Sequence, residues 1–255
     1  MIIDSWGKTD VGCQRTNNED AFLIREDMYL YVVADGVGGA AAGEVASDLF
    51  VHNCAEEFET YTGWNKDYRM LITRCFQNAN SKLREHMETH AETKGMGCTA
   101  ELITFNAGNY FIGHVGDSRT YLIREGELQR LTKDHSYVQE QIDLGLLKPE
   151  EVQGHWMKNT IYRAVGGADE LEVDLLQGTT KHADIFLLCS DGLTDMIAEN
   201  NILDIIINEK NLQLRAEKLV QTAKDNGGKD NITIILCQVN MNSISEKVSA
   251  FFSKD

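Results

Sequence analysis

The sequence predicts an α+β fold, in which strands and helices are segregated along 255 residues. Short apolar segments separated by turn residues fill residues 98–131, and connections this short indicate an antiparallel meander. Apolar residues at helical spacing lie on both sides of that block, at 45–83 and at 202–223. An antiparallel meander flanked by helices does not suit a parallel, doubly wound sheet.

The first third of the chain is predicted to contain strands followed by two helices. Residues 1–12 alternate weakly and predict an edge strand. Residues 21–24 and 29–34 are apolar and are separated by a charged turn, so they predict a hairpin. Helices are predicted from about Ala41 and over residues 67–89, and we interpret their apolar faces as packing surfaces of the core.

The rest of the chain is predicted to contain the meander, a surface flap and a helical segment before a last strand. Residues 132–159 offer few positions for a continuous core face, so a flap is expected at about 136–160. We expect one domain over residues 1–240 and a C-terminal tail over 241–255. The predicted elements are strands at 98–105, 110–115, 119–123, 128–131, 184–189 and 232–239, and helices at 194–197, from about 202 and from about 212.

The net charge of −16, from 40 acidic and 24 basic residues, argues against partners with a phosphate-rich surface. Nucleic acids and anionic membranes would be repelled, whereas divalent cations would be attracted. The six cysteines show neither a C-x-x-C pair nor zinc-ligand spacing, and we interpret them as small buried thiols. The N-terminus lacks signal-peptide architecture, and no apolar run reaches the roughly 18 residues of a membrane span. We therefore expect a cytoplasmic protein, monomeric by default, that neither binds nucleic acid nor inserts into membranes.

An apolar strand delivers a carboxylate, Asp35, to a glycine-rich turn, and three interpretations of this turn are open. It can be a strand-to-helix turn with Asp-Gly geometry, or a metal-binding carboxylate at the edge of the core. It can also be a dinucleotide fingerprint, since Gly36-x-Gly38-x-x-Ala41 has the required spacing. That fingerprint needs an acidic residue at the end of a second strand about twenty residues on, and residues 48–61 look helical instead.

Acidic residues recur at the ends of predicted strands. Three of them close apolar strands beside a glycine, one opens a strand after two glycines, and two stand together before the first hairpin. The set is Glu19, Asp20, Asp35, Asp117, Asp191 and Asp230. Strand ends of this kind can converge on one cluster, in which the carboxylates raise each other's pKa. Divalent cations offset the repulsion, and an all-oxygen set without a cysteine or histidine cluster favours Mg²⁺ or Mn²⁺ over zinc.

The residues also carry a family resemblance, because eight short motifs occur in a characteristic order. They are Arg15-x-x-Asn18-Glu19-Asp20, Ala34-Asp35-Gly36-x-Gly38-Gly39, Gly97-Cys98-Thr99-Ala100, Gly116-Asp117-Ser118-Arg119, Asp134-His135-Ser136, Arg163-Ala164-Val165-Gly166, Ser190-Asp191-Gly192-Leu193 and Asp230-Asn231-x-Thr233. From about residue 5 to 239 the chain resembles the metal-dependent serine/threonine protein phosphatases of type 2C, in their compact bacterial form.

The resemblance implies a fold and an activity. The fold is an α-β-β-α sandwich of two antiparallel sheets with helices on both outer faces. The activity is hydrolysis of phosphoserine and phosphothreonine in proteins, which would oppose a bacterial serine/threonine kinase. A hydroxide formed from a water that bridges two Mn²⁺ or Mg²⁺ ions would attack phosphorus, so no cysteine or serine nucleophile is needed.

The resemblance also implies roles for individual residues. Asp35 would bridge the two ions, with the carbonyl of Gly36 on one of them, and Arg15 would clamp the substrate phosphate with its planar fork. The other acidic residues would complete the metal sites: Asp191 and Asp230 on one ion, Glu19 with Asp20 acting through water on the other, and Asp117 with Asp191 on a weaker third ion.

Two residues depart from the family pattern. Val37 follows Asp-Gly where eukaryotic relatives carry a histidine, so the general acid is left unassigned and a metal-bound water is suspected. Trp156 follows His155 where bacterial relatives usually carry proline, which affects the expected flap conformation and substrate preference. We interpret His135 and His155 as hydrogen-bonding loop histidines rather than as acid–base groups.

Overall fold

The computed structural model describes residues 1–37, 42–61 and 67–241, which form two antiparallel sheets and the helices packed on them. The glycines 38 and 39, Ala41 and the tail after residue 241 lie outside these residues. The strands are β1 Ile2–Asp10, β2 Asp20–Arg25, β3 Leu30–Val37, β4 Gly97–Cys98, β5 Ala100–Asn106, β6 Asn109–Val115, β7 Arg119–Arg124, β8 Glu127–Arg130, β9 Asp174–Thr179, β10 Ile185–Cys189 and β11 Ile232–Asn240. One sheet has the order β1-β11-β10-β7-β8, and the other has the order β2-β3-β5-β6-β9 with β4 beside β3.

Helices cover the outer faces of both sheets. The helices are α1 Gly43–Thr60, α2 Tyr68–Thr89, α3 Tyr137–Asp143, α4 Asp191–Thr194, α5 Glu199–Asn208 and α6 Leu212–Asp225. Apolar side chains of α1 and α2 form a core with the β2-β3-β5-β6-β9 sheet, and those of α4, α5 and α6 form a core with the other sheet. A third core lies between the two sheets. The α+β prediction and the predicted α-β-β-α layering are confirmed.

The strand β11 shows why the central strands read as unbroken apolar runs in the sequence. Successive side chains of a strand point to opposite faces, and both faces of this strand are buried. The side chains in the helix-side core are Ile232, Ile234 and Leu236, and those in the core between the sheets are Ile235, Cys237 and Val239.

The predicted meander is wrong as a single sheet, because its four strands form two hairpins in different sheets. The hairpin β5–β6 belongs to one sheet and β7–β8 to the other. The chain crosses between the sheets at Gly116, whose φ of 106° lies in the left-handed region that glycine adopts without strain. The next residue, Asp117, is thereby placed between the two sheets rather than in a hairpin turn.

Two further differences concern strand β3 and strand β9. β3 was expected to end before Asp35, but it continues to Val37, so this carboxylate is part of the sheet. β9 was not predicted, because its short, half-buried sequence carries no clear period. Five of the six cysteines are buried as expected, and Cys13 is exposed. Within the described residues, no helix combines the length and the apolar character needed to cross a membrane.

Candidate active site

A cleft of about 460 Å³ opens where strands of both sheets end. Among the residues that line it are seven of those singled out in the sequence: Arg15, Glu19, Asp35, Gly36, Asp117, Asp191 and Asp230. Asp20 does not line the cleft; it is only 9% exposed and lies opposite Asp35 in the β2–β3 pair. The strand ends thus converge, while the roles of these residues as metal ligands stay a prediction.

The backbone of Asp35 is held by Thr99. The amide of Asp35 donates to Thr99 Oγ1 at 3.0 Å, and the amide of Thr99 donates to the Asp35 carbonyl at 2.8 Å. The Thr99 hydroxyl also shares a hydrogen bond of 2.7 Å with Ser118, next to Asp117. Like charges directly opposite each other on neighbouring strands lower the stability of a sheet. The Asp20–Asp35 pair therefore lowers the stability of the folded protein.

The loop that carries Glu19 is anchored to strand β3 and to helix α1 by close contacts. The Glu19 carbonyl accepts hydrogen bonds from the Gly36 amide at 3.0 Å and from Ser47 Oγ at 2.6 Å. A Cβ atom at Gly43 would lie 2.2 Å from Glu19 Oε2, and one at Gly36 would lie 2.2 Å from the Gly43 carbonyl oxygen. Glycine at position 43 therefore leaves room for the Glu19 carboxylate, and glycine at position 36 lets the backbones of β3, α1 and the Glu19 loop approach each other.

Arg15 and Asp230 form an ion pair at the rim of the cleft, with 2.8 Å between Nη2 and Oδ2. The Arg15 side chain is 52% exposed, so its remaining N–H groups are accessible from solvent. Asn231, directly after Asp230, accepts from the Glu19 amide at 2.8 Å and donates to the carbonyls of Val11 and Asn17 at 3.0 and 2.9 Å. This asparagine joins the loop of residues 11–19 to the start of β11.

Burial in a cluster of like charges raises the pKa values of the central carboxyl groups. Burial raises the pKa of Asp20 to about 7, and hydrogen bonds from Thr233 and Ser190 limit that rise. Burial, with the charge of Asp134 next in effect, raises the pKa of Asp117 to about 7. The pKa values of Asp35 and Asp191 are raised well above their ordinary range, mainly by burial and then by neighbouring aspartates.

The donor set of the cleft fits hard divalent cations. Asp20 Oδ1 and Asp191 Oδ1 are buried oxygens with no hydrogen-bond partner, and such atoms are costly unless a ligand satisfies them. Within residues 1–37, 42–61 and 67–241, no three Asp, Glu, His or Cys side chains meet closely enough to bind an ion by themselves. An ion here would complete its shell with carbonyl and water oxygens, as Mg²⁺ usually does.

These pKa shifts predict that the metal-free protein loses stability as the pH rises. Between about pH 4 and 7 the folded protein keeps protons on Asp20 and Asp117 that the unfolded chain has released, so its free energy of unfolding falls with increasing pH. In EDTA we expect a loss of at least about 2 kcal/mol across this range, measured by thermal melts at several pH values. Saturating Mg²⁺ should remove or reverse the trend, because cations bind the deprotonated carboxylates. Equal melting temperatures across the range in EDTA would contradict this account.

The flap region contributes to the cleft in a way that the sequence did not indicate. Asn159 and Ile161 line the cleft, and Lys158 Nζ lies 2.5 Å from Asp195 Oδ2, just beyond α4. Trp156 is 85% exposed and packs its ring beside that of His155. Lining residues of this kind carry no sequence signal of their own, since a loop can approach a cleft with almost any side chain.

Three supporting residues also received no role from the sequence, although they stand inside the quoted motifs. They are Thr99, Ser190, which donates to Asp20 Oδ2 at 2.8 Å, and Asn231. Each adjoins or faces a cleft carboxylate and satisfies its backbone or side chain. For Ser190 and Asn231 the sequence did hold a signal, because each polar residue stands directly beside an acidic residue of the cleft, whereas Thr99 has no such neighbour.

The fold and the cleft define a protein phosphatase. The sequence matches the family model for protein phosphatase 2C over residues 13–236. The chain belongs to this family, whose members are metal-dependent hydrolases of phosphate monoesters.

Several bacterial relatives match almost the whole chain. The serine/threonine phosphatase stp of Listeria welshimeri is 33% identical over 239 residues, which is 92% of this chain and 95% of that protein. Protein phosphatase PhpP of Streptococcus pneumoniae is 36% identical over 236 residues, with 91% and 96% covered. The serine/threonine phosphatase PstP of Mycobacterium tuberculosis superposes with a TM-score of 0.88 at 34% identity, over 94% of this chain and all of that one (100%). A PstP catalytic domain solved in complex with two manganese ions gives a TM-score of 0.86 at 34% identity, with 94% and 99% covered.

Proposed function

We propose that this protein removes phosphate from phosphoserine and phosphothreonine in proteins, with two Mn²⁺ or Mg²⁺ ions bound in the cleft. The observation that carries the proposal is the meeting of strand-end carboxylates from both sheets in one cleft, with Arg15 at its rim. The names of stp and PstP support serine and threonine as the phosphorylated residues.

The acidic residues would divide the binding of the ions between them. Asp35 would bridge the pair, with the Gly36 carbonyl on one ion, and Asp191 and Asp230 would complete one site. Glu19, with the buried Asp20 acting through water, would serve the other, and Asp117 with Asp191 could hold a third ion. When bound, the ions would supply Lewis acidity and activate a water at neutral pH.

The chain's own residues would bind and orient the substrate. Arg15 uses one guanidinium N–H to bind Asp230 and can direct others to phosphate oxygens, for which its planar fork is suited. Thr99 and Asn231 hold Asp35 and the Glu19 loop in place before substrate arrives, which avoids an ordering cost during the reaction. Asn159 and Ile161 form part of the wall against which the phosphorylated segment would lie.

A serine/threonine kinase must supply such a substrate, because phosphate monoesters of protein hydroxyls are made by transfer from a nucleotide. We therefore propose that the enzyme opposes a kinase of this class.

Phosphate release from a phosphothreonine peptide tests the proposal. We expect release with Mn²⁺ or Mg²⁺, loss of release in EDTA, and recovery when excess Mn²⁺ is added back. The exposed-surface variant Asp48→Asn, on α1 and away from the cleft, should behave like the wild type. Release that EDTA leaves unchanged, or no release in any condition from folded protein, would contradict the proposal.

A further inference from the structure

A buried pair, Glu101 and His114, lies between the two sheets and has no part in the chemistry described above. Both side chains are 0% exposed and stand opposite each other in the β5–β6 hairpin, with Glu101 Oε1 hydrogen-bonded to His114 Nδ1. Thr120, from the other sheet, donates to Glu101 Oε2 at 2.5 Å. The second ring nitrogen of His114 lies 2.8 Å from the carbonyl oxygen of Lys133. A carbonyl can only accept, so this nitrogen carries a proton and fixes the chain just before residue 134.

His135 follows at once and makes two hydrogen bonds to one residue, Gly116. Its backbone amide donates to the Gly116 carbonyl at 2.7 Å, and its Nδ1 accepts from the Gly116 amide at 3.1 Å. The ring packs on that of His114 at 4.5 Å between centroids. Its Nε2 lies 3.3 Å from Asp174 and 3.0 Å from Nη1 of Arg163. Because Nδ1 accepts from Gly116, the neutral ring carries its proton on Nε2, and of these two neighbours only Asp174 can accept it. Arg163, which can only donate, binds Asp174 at 2.9 Å. Burial, together with His114 and Arg163, lowers the pKa of His135 to about 4, so Nδ1 stays free to accept.

Gly116 is the point at which the chain passes from one sheet to the other. Its φ is 106°, and it lies one residue beyond Val115, where the pairing of β5 with β6 ends. A Cβ atom here would lie 2.7 Å from the Thr99 side chain, so the crossing is also sterically confined. The direction in which the following Asp117 enters the cleft depends on how Gly116 is held.

We propose that His135 is a positioning residue for Asp117: by binding both the amide and the carbonyl of Gly116, it aims that carboxylate into the cleft. The Glu101–His114 pair supports His135 from the core through Lys133. This inference rests on the proposed function, because the proposed function places a cation at Asp117. Other contacts hold the segment as well, since Arg119 binds the carboxylate of Asp134 at 2.7 Å. Variants at His135 should therefore keep the fold.

The test compares side chains that keep or lose the acceptor at the position of Nδ1. His135→Asn places an amide oxygen near that position, whereas His135→Gln carries its amide farther out and His135→Leu has no acceptor. Mn²⁺ binding is measured by calorimetry for each full-length variant, and kcat and KM are measured with a phosphothreonine peptide. We expect the Leu and Gln variants to bind Mn²⁺ about 10- to 100-fold less tightly at the weakest of its sites. A loss of this size is usual when a residue that orients a metal ligand is removed. Their kcat should fall while KM for the peptide stays within about twofold, and the Asn variant should stay within about threefold of wild type throughout.

The outcomes separate this inference from the proposed function. If wild-type protein releases phosphate and binds Mn²⁺ but the Gln and Asn variants behave alike, His135 does not act through Gly116 and the inference is wrong. The same conclusion follows if a folded Leu variant binds Mn²⁺ as the wild type does. Should the Leu variant fail to fold, the Asn–Gln comparison decides alone. Wild-type protein without phosphatase activity would overturn the proposed function first.

Discussion

Replacing Asp35 by asparagine should reduce phosphate release by at least about a thousandfold. Asp35 lies in the cleft between carboxylates from both sheets, and the proposed function makes it the anion shared by two cations. Losing that anion removes several kcal/mol of charge stabilisation, and each 1.36 kcal/mol corresponds to about tenfold in rate. The measurement is kcat/KM for a phosphothreonine peptide at saturating Mn²⁺, together with the Mn²⁺ affinity from calorimetry.

The same substitution should leave the fold intact and stabilise the protein in EDTA. The pKa of Asp35 is raised by burial and by the neighbouring aspartates, so the folded protein holds a proton that the unfolded chain releases as the pH rises above about 4. That difference costs stability at neutral pH, and a neutral asparagine does not incur it. The melting temperature of Asp35→Asn in EDTA should exceed that of wild type by a few degrees at pH 7.5, and the gap should narrow towards pH 4.

A matched control is Asp48→Asn, which changes an exposed carboxylate of α1. It should alter neither the rate nor the melting temperature beyond small surface effects. Wild-type turnover in Asp35→Asn would show that the cleft does not need this anion. A variant that is inactive because it melts far below wild type would instead show that Asp35 is structural.

The sequence indicated the helices and central strands because their burial is periodic or continuous. Helix α2 buries one face, and its predicted range of 67–89 matches Tyr68–Thr89 in the structure. Strand β10 is buried at every position and reads as an apolar run. Strand β9, at the edge of its sheet with half-buried residues, offers neither signal. A local sequence pattern also could not show which sheet each strand joins, because the sequence at the Gly116 crossing looks like that of any glycine turn.

The convergence of the acidic residues could be predicted because each stands at or near the end of a strand, and sheet geometry brings strand ends to an edge. What holds each carboxylate could not be predicted. The contacts of Asp35 with Thr99 and of Asp20 with Ser190 join residues far apart in the chain. Such pairs depend on register and on the packing of one sheet against the other, which single-sequence patterns do not contain.

Replacing Asn231 by alanine should lower both activity and stability, because this side chain joins two loops of the cleft. It accepts from the Glu19 amide and donates to the carbonyls of Val11 and Asn17. The side chain is buried, so truncation leaves one donor and two acceptors with weaker partners. Each such group costs about 1–3 kcal/mol if nothing replaces the bond, and partial hydration gives an expected total of about 3 kcal/mol. Activity should fall by about a hundredfold, since Glu19 and Arg15 lose their fixed position relative to Asp230.

Asn226→Ala provides the comparison, because it removes the same amide from the same α6–β11 connection. Asn226 is exposed and donates to the Met196 carbonyl at 2.9 Å. This variant should keep the wild-type rate and lose at most about 1 kcal/mol of stability. Urea unfolding and kcat/KM would be measured for both variants. If Asn231→Ala lost stability but kept full activity, the Glu19 loop would owe its position to Ser47 and Gly36 alone, and the joint between the loops would have no catalytic consequence.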